Sequence, residues 1–111
     1  MDFNEYQNKA RQTAQYPDQG GAGGFSYVAL GLNGEAGEVA EHAKKVLRDD
    51  QGVVSPDRRE KIKKELGDVL WYVSNCCSEL GLSMGDVAQG NIDKLFDRKD
   101  RGVIQGDGDE R

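Results

Sequence analysis

At 111 residues the chain has room for one domain with a modest core and too little for two. Its residues are 36% hydrophobic and 32% charged, and no apolar run approaches the roughly 20 residues of a membrane helix, so no membrane partner is expected. A net charge of −5 supplies no overall field for nucleic acid; any cations that hold phosphate must be concentrated locally, and the composition favours a small ligand. The opening MDFNEYQNKA lacks the basic and then apolar order of a secretory leader, so a cytoplasmic location is expected. Cys76 and Cys77 are adjacent, where a mutual disulfide would close a strained ring and staple nothing, so reduced thiols are expected.

A first helix is predicted from about Phe3 to Tyr16, because Phe3, Tyr6, Ala10, Thr13 and Ala14 fall near one face. Pro17 and the cluster Gly20, Gly21, Gly23 and Gly24 end it. A second helix runs from near Phe25 to about Arg48, with an apolar stripe of Val28, Ala29, Leu32, Ala36, Val39, Ala40, Ala43, Val46 and Leu47. Ser55 before Pro56 reads as an N-cap with proline at the first helical position, opening a third helix that reaches about Leu80 and stops at Gly81. Ser83 caps a fourth helix carrying Val87, Ile92, Leu95 and Phe96 to roughly Lys99. No stretch alternates as a half-buried strand does, so the fold class is all-α with four helices. Residues 1–101 form the domain and residues 102–111 a flexible C-terminal tail. Glycines at 31, 34, 37, 67, 85 and 90 each cost about 1 kcal/mol against alanine inside a helix, and close helix packing is the expected reason for several of them.

The chemistry lies in a repeated pattern, Glu35-Ala36-Gly37-Glu38-Val39 in the second helix and Glu65-Leu66-Gly67-Asp68-Val69 in the third. At about 100° per residue each acid pair lies roughly 60° apart beside an apolar stripe. Antiparallel packing of the two helices would bring four carboxylates together, a self-repelling cluster that a hard cation such as magnesium or manganese neutralises. The plain alternative is a solvated face, where Glu is paired with Lys or Arg three or four residues away. Glu41 has Lys44 and Lys45 and Glu65 has Lys61, but Glu35 and Glu38 have no such partner. The only histidine, His42, completes neither a di-iron Glu-x-x-His motif nor a zinc site, and it reads as a helix-surface residue rather than support for the acids.

Basic residues supply the other half of a phosphate site. Lys44, Lys45 and Arg48 close the second helix, while Lys94, Arg98 and Arg101 recur at one face of the fourth, with Asn91 three residues before Lys94. Their alternative role is favourable charge at a helix C-terminus. Trp71 and Tyr72 follow the second acid pair and are read as core or interface residues in preference to base-stacking ones. Ser74 and the cysteines lack the histidine and acid of a nucleophilic site and are assigned to packing.

The paired acid motifs resemble the Glu-x-x-Glu and Glu-x-x-Asp of the MazG-like nucleotide pyrophosphohydrolases, within the all-α NTP pyrophosphatase superfamily. Asn91, Lys94 and Arg98 resemble that family's downstream phosphate-binding segment, and the similarity extends to Tyr6-Gln7, Tyr16-Pro17 and Gly31-Leu32. Gly34 stands where many relatives carry a further glutamate, which leaves fewer carboxylates for a second metal. The resemblance implies a four-helix bundle-like fold assembled as a homodimer or homotetramer. It also implies magnesium-dependent hydrolysis of (deoxy)nucleoside triphosphates to nucleoside monophosphate and pyrophosphate. Glu35, Glu38, Glu65 and Asp68 would be the metal-binding and catalytic residues, and Lys45, Asn91, Lys94, Arg98 and Arg101 would bind substrate. The general base stays open among the acids. A relative acting on dUTP or phosphoribosyl-ATP, and a nucleotide-sensing or partner-binding bundle without turnover, are the alternatives. A sharper role for the tail is a lid over bound nucleotide, formed with Arg101, Asp107, Asp109 and Arg111.

Overall fold

Capping chemistry sets where three of the four helices begin. In a computed structural model that describes residues 1–111, α1 spans Phe3–Gln12, α2 Gly24–Asp49, α3 Pro56–Glu79 and α4 Met84–Asp100, with no strand. The side chains of Asp2, Ser55 and Ser83 accept from the backbone N–H of Glu5, Arg58 and Asp86, at 2.8, 3.1 and 3.2 Å. α3 stops in a Schellman turn, with Gly81 at φ +67° and Leu82 N donating to the Cys77 carbonyl at 2.8 Å. α4 ends the same way, at Gly102 with φ +73° and Val103 N on the Arg98 carbonyl at 2.8 Å.

The first helix is shorter than its periodicity predicts, ending at Gln12 instead of Tyr16. Pro17 disfavours helical geometry at Tyr16. The chain leaves the helix at Thr13, and Tyr16 turns inward, where it is 7% exposed and stacks on Tyr27 with centroids 5.3 Å apart. Trp71 meets Tyr16 and Tyr72 edge-on and donates from Nε1 to Thr13 Oγ1 at 2.8 Å. Beside these rings Glu79 accepts from Tyr16 Oη, from Arg11 Nη2 at 2.9 Å and from Gly20 N, and Arg11 also reaches Asn75 Oδ1 at 3.1 Å.

Gly24 faces Glu79, Gly31 faces Tyr72 and Asp50 pairs with Arg58, so α2 and α3 run antiparallel. α2 packs on α3 alone, whereas α1 and α4 pack on each other and on α3. The N-terminus of α4 is clasped by α1: Gln7 Oε1 accepts from Met84 N at 2.8 Å, and Asn4 Oδ1 accepts from Gly85 N at 3.0 Å. Cys76 and Cys77 are free thiols. No helix is long and apolar enough to cross a membrane.

Four helices form, but within one chain they do not close into a bundle. The radius of gyration is 16.8 Å, against about 13 Å for a compact chain of this length. The accessible surface is 7745 Å², against about 6,100 Å² for a compact monomer of this mass. The excess is apolar in part. Val87, Ile92, Leu95 and Phe96, the apolar residues of α4, are all exposed, as are Leu30, Leu66 and the stripe residues Ala36, Ala40, Ala43 and Leu47. Close packing explains Gly31, where an added Cβ would lie 2.1 Å from the Tyr72 ring, and Gly85 against Asn4. It does not explain Gly34, Gly37, Gly67 or Gly90, around which space is open.

Candidate metal centre

The crossing of α2 and α3 brings Glu35, Glu65 and Asp68 together, each offering a carboxylate oxygen within 4.8 Å of the others. Glu35 and Glu65 are half-buried and Asp68 is exposed. Burial raises the Glu35 carboxyl above its ordinary range, and hydrogen bonding to Glu65 and the charges of Asp68, Glu65 and Glu38 raise it further. Glu38 lies outside the converging group and is exposed, adding only its field. A 60° step on the helix separates it from the face that α3 meets. Glu65 does not pair with Lys61, as local spacing suggests; Lys61 pairs with Asp57 at 3.2 Å, which leaves Glu65 to the cluster.

Hard oxygen donors in mutual repulsion fit magnesium or manganese, and the set contains no thiol or histidine that would favour a softer ion. Beside it a recess of about 290 Å³ is lined by Glu35, Asp68, Trp71 and Tyr72. The Tyr72 hydroxyl is raised by burial and then by the charges of Tyr27, Glu35 and Asp68, so it stays protonated and can donate. Trp71 and Tyr72 are therefore packing residues that also present an aromatic wall to the acids.

His42 is not a surface residue. Its side chain is 14% exposed, with Nε2 3.9 Å from Glu65 Oε1. Arg58 Nη1 lies 3.3 Å from Nδ1, and Arg58 Nε pairs with Asp50 at 3.1 Å. Guanidinium can only donate, so Nδ1 is the ring nitrogen that can accept from Arg58, and Nε2 is the one that faces Glu65. The signal was in the spacing: His42 follows Glu35 by seven residues, two helical turns on the same face.

Three of the basic residues have other partners. Lys94 Nζ and Arg98 Nη2 both donate to Asp109 Oδ1 at 3.0 Å, and Arg98 also donates to the Asp109 carbonyl. Arg101 pairs with Asp97 at 2.8 Å and donates to the Arg111 backbone oxygen at 2.7 Å. Asn91 is exposed, and Lys45 is half-buried without an ion pair. None of these cations forms an ion pair with Glu35, Glu65 or Asp68, and α4 does not pack on α2.

Comparison with known proteins bears on the same residues. "Gene 37 protein" of Mycobacterium phage L5 is 48% identical over 114 residues, an alignment covering 100% of both chains. No solved structure matches the chain significantly. The family model for the MazG nucleotide pyrophosphohydrolase domain matches residues 25–103, a span that holds both acid pairs, His42 and the basic row of α4. With well over half its length inside that match, the chain belongs to the MazG nucleotide pyrophosphohydrolase domain family.

Proposed function

We propose that the protein hydrolyses (deoxy)nucleoside triphosphates between the α and β phosphates, in a magnesium-dependent reaction that yields a nucleoside monophosphate and pyrophosphate. One observation carries this reading: three carboxylates converge within 4.8 Å with no lysine or arginine paired to any of them. Family membership supports the reaction class.

Glu35, Glu65 and Asp68 would hold the ion, with Glu38 joining from the rim. Bound magnesium supplies Lewis-acid polarisation of the phosphoryl oxygens and a lowered pKa for the attacking water. His42 stands behind Glu65, with Nε2 3.9 Å from its Oε1. A carboxylate of the cluster takes the proton as water adds across the anhydride, and the α–β phosphorus–oxygen bond breaks with pyrophosphate leaving. Trp71 and Tyr72 wall the recess beside the acids, where an aromatic base can stack.

Lys45, Asn91, Lys94, Arg98 and Arg101 are the phosphate-binding side chains of this reading. Four of the five lie on or next to α4, which is remote from α2 in a single chain. Exposed Leu95 and Phe96 on the same helix, and an excess surface of about 1,700 Å² per chain, support assembly as a homodimer or homotetramer. That excess is more than the roughly 800 Å² each partner buries in a standard interface.

The test is an assay of each triphosphate with magnesium, with products identified by chromatography. Orthophosphate in place of pyrophosphate, or undiminished turnover in Glu65→Gln, refutes the proposal.

A further inference from the structure

The tail docks its own acid on the cations of α4. Asp109 Oδ1 accepts from Lys94 Nζ and from Arg98 Nη2 at the same distance, 3.0 Å. The Arg98 side chain is only 7% exposed, so its charge is almost removed from water and needs an anionic partner. Asp109 is 75% exposed, so the partner it receives is held at the surface.

The segment is shaped to deliver that carboxylate. Arg111 staples the loop, donating to the carbonyls of Val103 at 3.0 Å, Ile104 at 2.7 Å and Gly108 at 2.6 Å. Gly106 and Gly108, at φ +130° and +87°, make turns that other residues rarely adopt. Ile104 borders a shallow recess together with Leu95, Phe96 and Lys99 of α4.

We propose that Asp109 is a built-in stand-in for a substrate phosphate, occupying Lys94 and Arg98 in the resting protein and displaced when a polyphosphate binds. This rests on the reading of those two cations as phosphate-binding. A carboxylate and a phosphate offer the same kind of anionic oxygen to the same donors, so Asp109 and a polyphosphate compete for them. The Lys94 hydrogen bond, followed by that of Arg98, holds the Asp109 carboxyl below its ordinary range, so the latch is charged at neutral pH. One exposed carboxylate is a weak competitor for a polyphosphate carrying several charges, so the tail sets a threshold for binding without blocking it. A lid would act in the opposite direction.

The full-length protein is titrated with inorganic tripolyphosphate, without divalent metal and at low salt, with affinity read from amide NMR shifts. Asp109→Asn is expected to bind about three- to tenfold more tightly than wild type, from the loss of two ion pairs whose shared carboxylate is exposed. Asp107→Asn changes the net charge equally, but Asp107 accepts only from the adjacent Gly108 N, so it should bind as wild type does. In wild type, saturation should shift the amides of residues 103–111 toward their positions in Asp109→Asn. Equal affinity in wild type and Asp109→Asn, with weaker binding in Lys94→Met, overturns the latch and leaves the phosphate reading standing. Weaker binding in Asp109→Asn overturns it in favour of a lid. Unchanged or absent binding across all four proteins overturns both the latch and the phosphate role of α4.

Discussion

Replacing Glu35 by glutamine should make the metal-free protein more stable while removing its activity. Two carboxylates, Glu65 and Asp68, lie within 4.8 Å of Glu35. Two like charges at that separation repel by about 0.9 kcal/mol in a water-like dielectric and about 3.5 kcal/mol at an effective value of 20. Asp68 is exposed and the others only half-buried, so the lower end applies and two pairs give roughly 2 kcal/mol. For a domain of this size that raises Tm by about 5–10 °C. The measurement is differential scanning fluorimetry with EDTA and then with excess magnesium, at one fixed protein concentration. Wild type should gain more from magnesium than Glu35→Gln does, and turnover of the variant should fall by more than about 100-fold, corresponding to several kcal/mol of lost charge stabilisation. A lower metal-free Tm in the variant, or the same magnesium-induced rise in both proteins, would refute the electrostatic argument.

Other positions separate structure from chemistry. Glu79, with a side chain 2% exposed, accepts from Tyr16, Arg11 and Gly20, and Glu79→Gln should cost about 2–4 kcal/mol in urea denaturation at pH 7. The Tyr16 hydrogen bond, and then that of Arg11, depresses the Glu79 pKa below the ordinary 4.5. Its contribution is therefore complete above that value and disappears as pH falls through the folded-state value; a wild-type acid profile matching the variant's would contradict this. Gly31→Ala should destabilise by about 1–3 kcal/mol, because its Cβ meets the Tyr72 ring at 2.1 Å. Gly37→Ala, in open space, should instead add about 1 kcal/mol to an isolated chain, so a loss on thermal melting would mark that face as one approached by another backbone. Ser74 Oγ is buried without a partner, so Ser74→Ala should be neutral or stabilising by up to about 1 kcal/mol; a larger loss in urea melts would reveal a partner.

The helix boundaries were legible where they are decided locally. Ser55-Pro56, Ser83 and Gly81 carry their own capping chemistry, so the expected limits of α3 and α4 lie within about a residue of those observed; those of α2 do too, though its N-cap Gly23 makes no side-chain bond. The end of α1 was not, because it depends on where Tyr16 packs. Spacing located the acid pairs but could not reveal that α3 meets one edge of α2, taking in Glu35 and leaving out Glu38. Spacing placed Val87, Ile92, Leu95 and Phe96 on α4, yet periodicity says only that a helix carries apolar residues and not which surface covers them. The pairing of Lys94 and Arg98 with Asp109 was hidden because it spans 15 and 11 residues through glycine turns, beyond any helical period.

The clasp between α1 and α4 bears on how the molecule opens. The bonds from Gln7 and Asn4 join residues 77 and 81 positions apart, so the first turn of α4 draws partners from the opposite end of the chain. Such contacts are expected to form after the adjacent α2 and α3 have paired, because closing a long loop costs entropy before any contact offsets it. In native-state hydrogen exchange the amides of Met84 and Gly85 should lose protection together with α1, as one cooperative unit. Fraying at the first helix is thereby transmitted to the last, the one that carries Lys94 and Arg98.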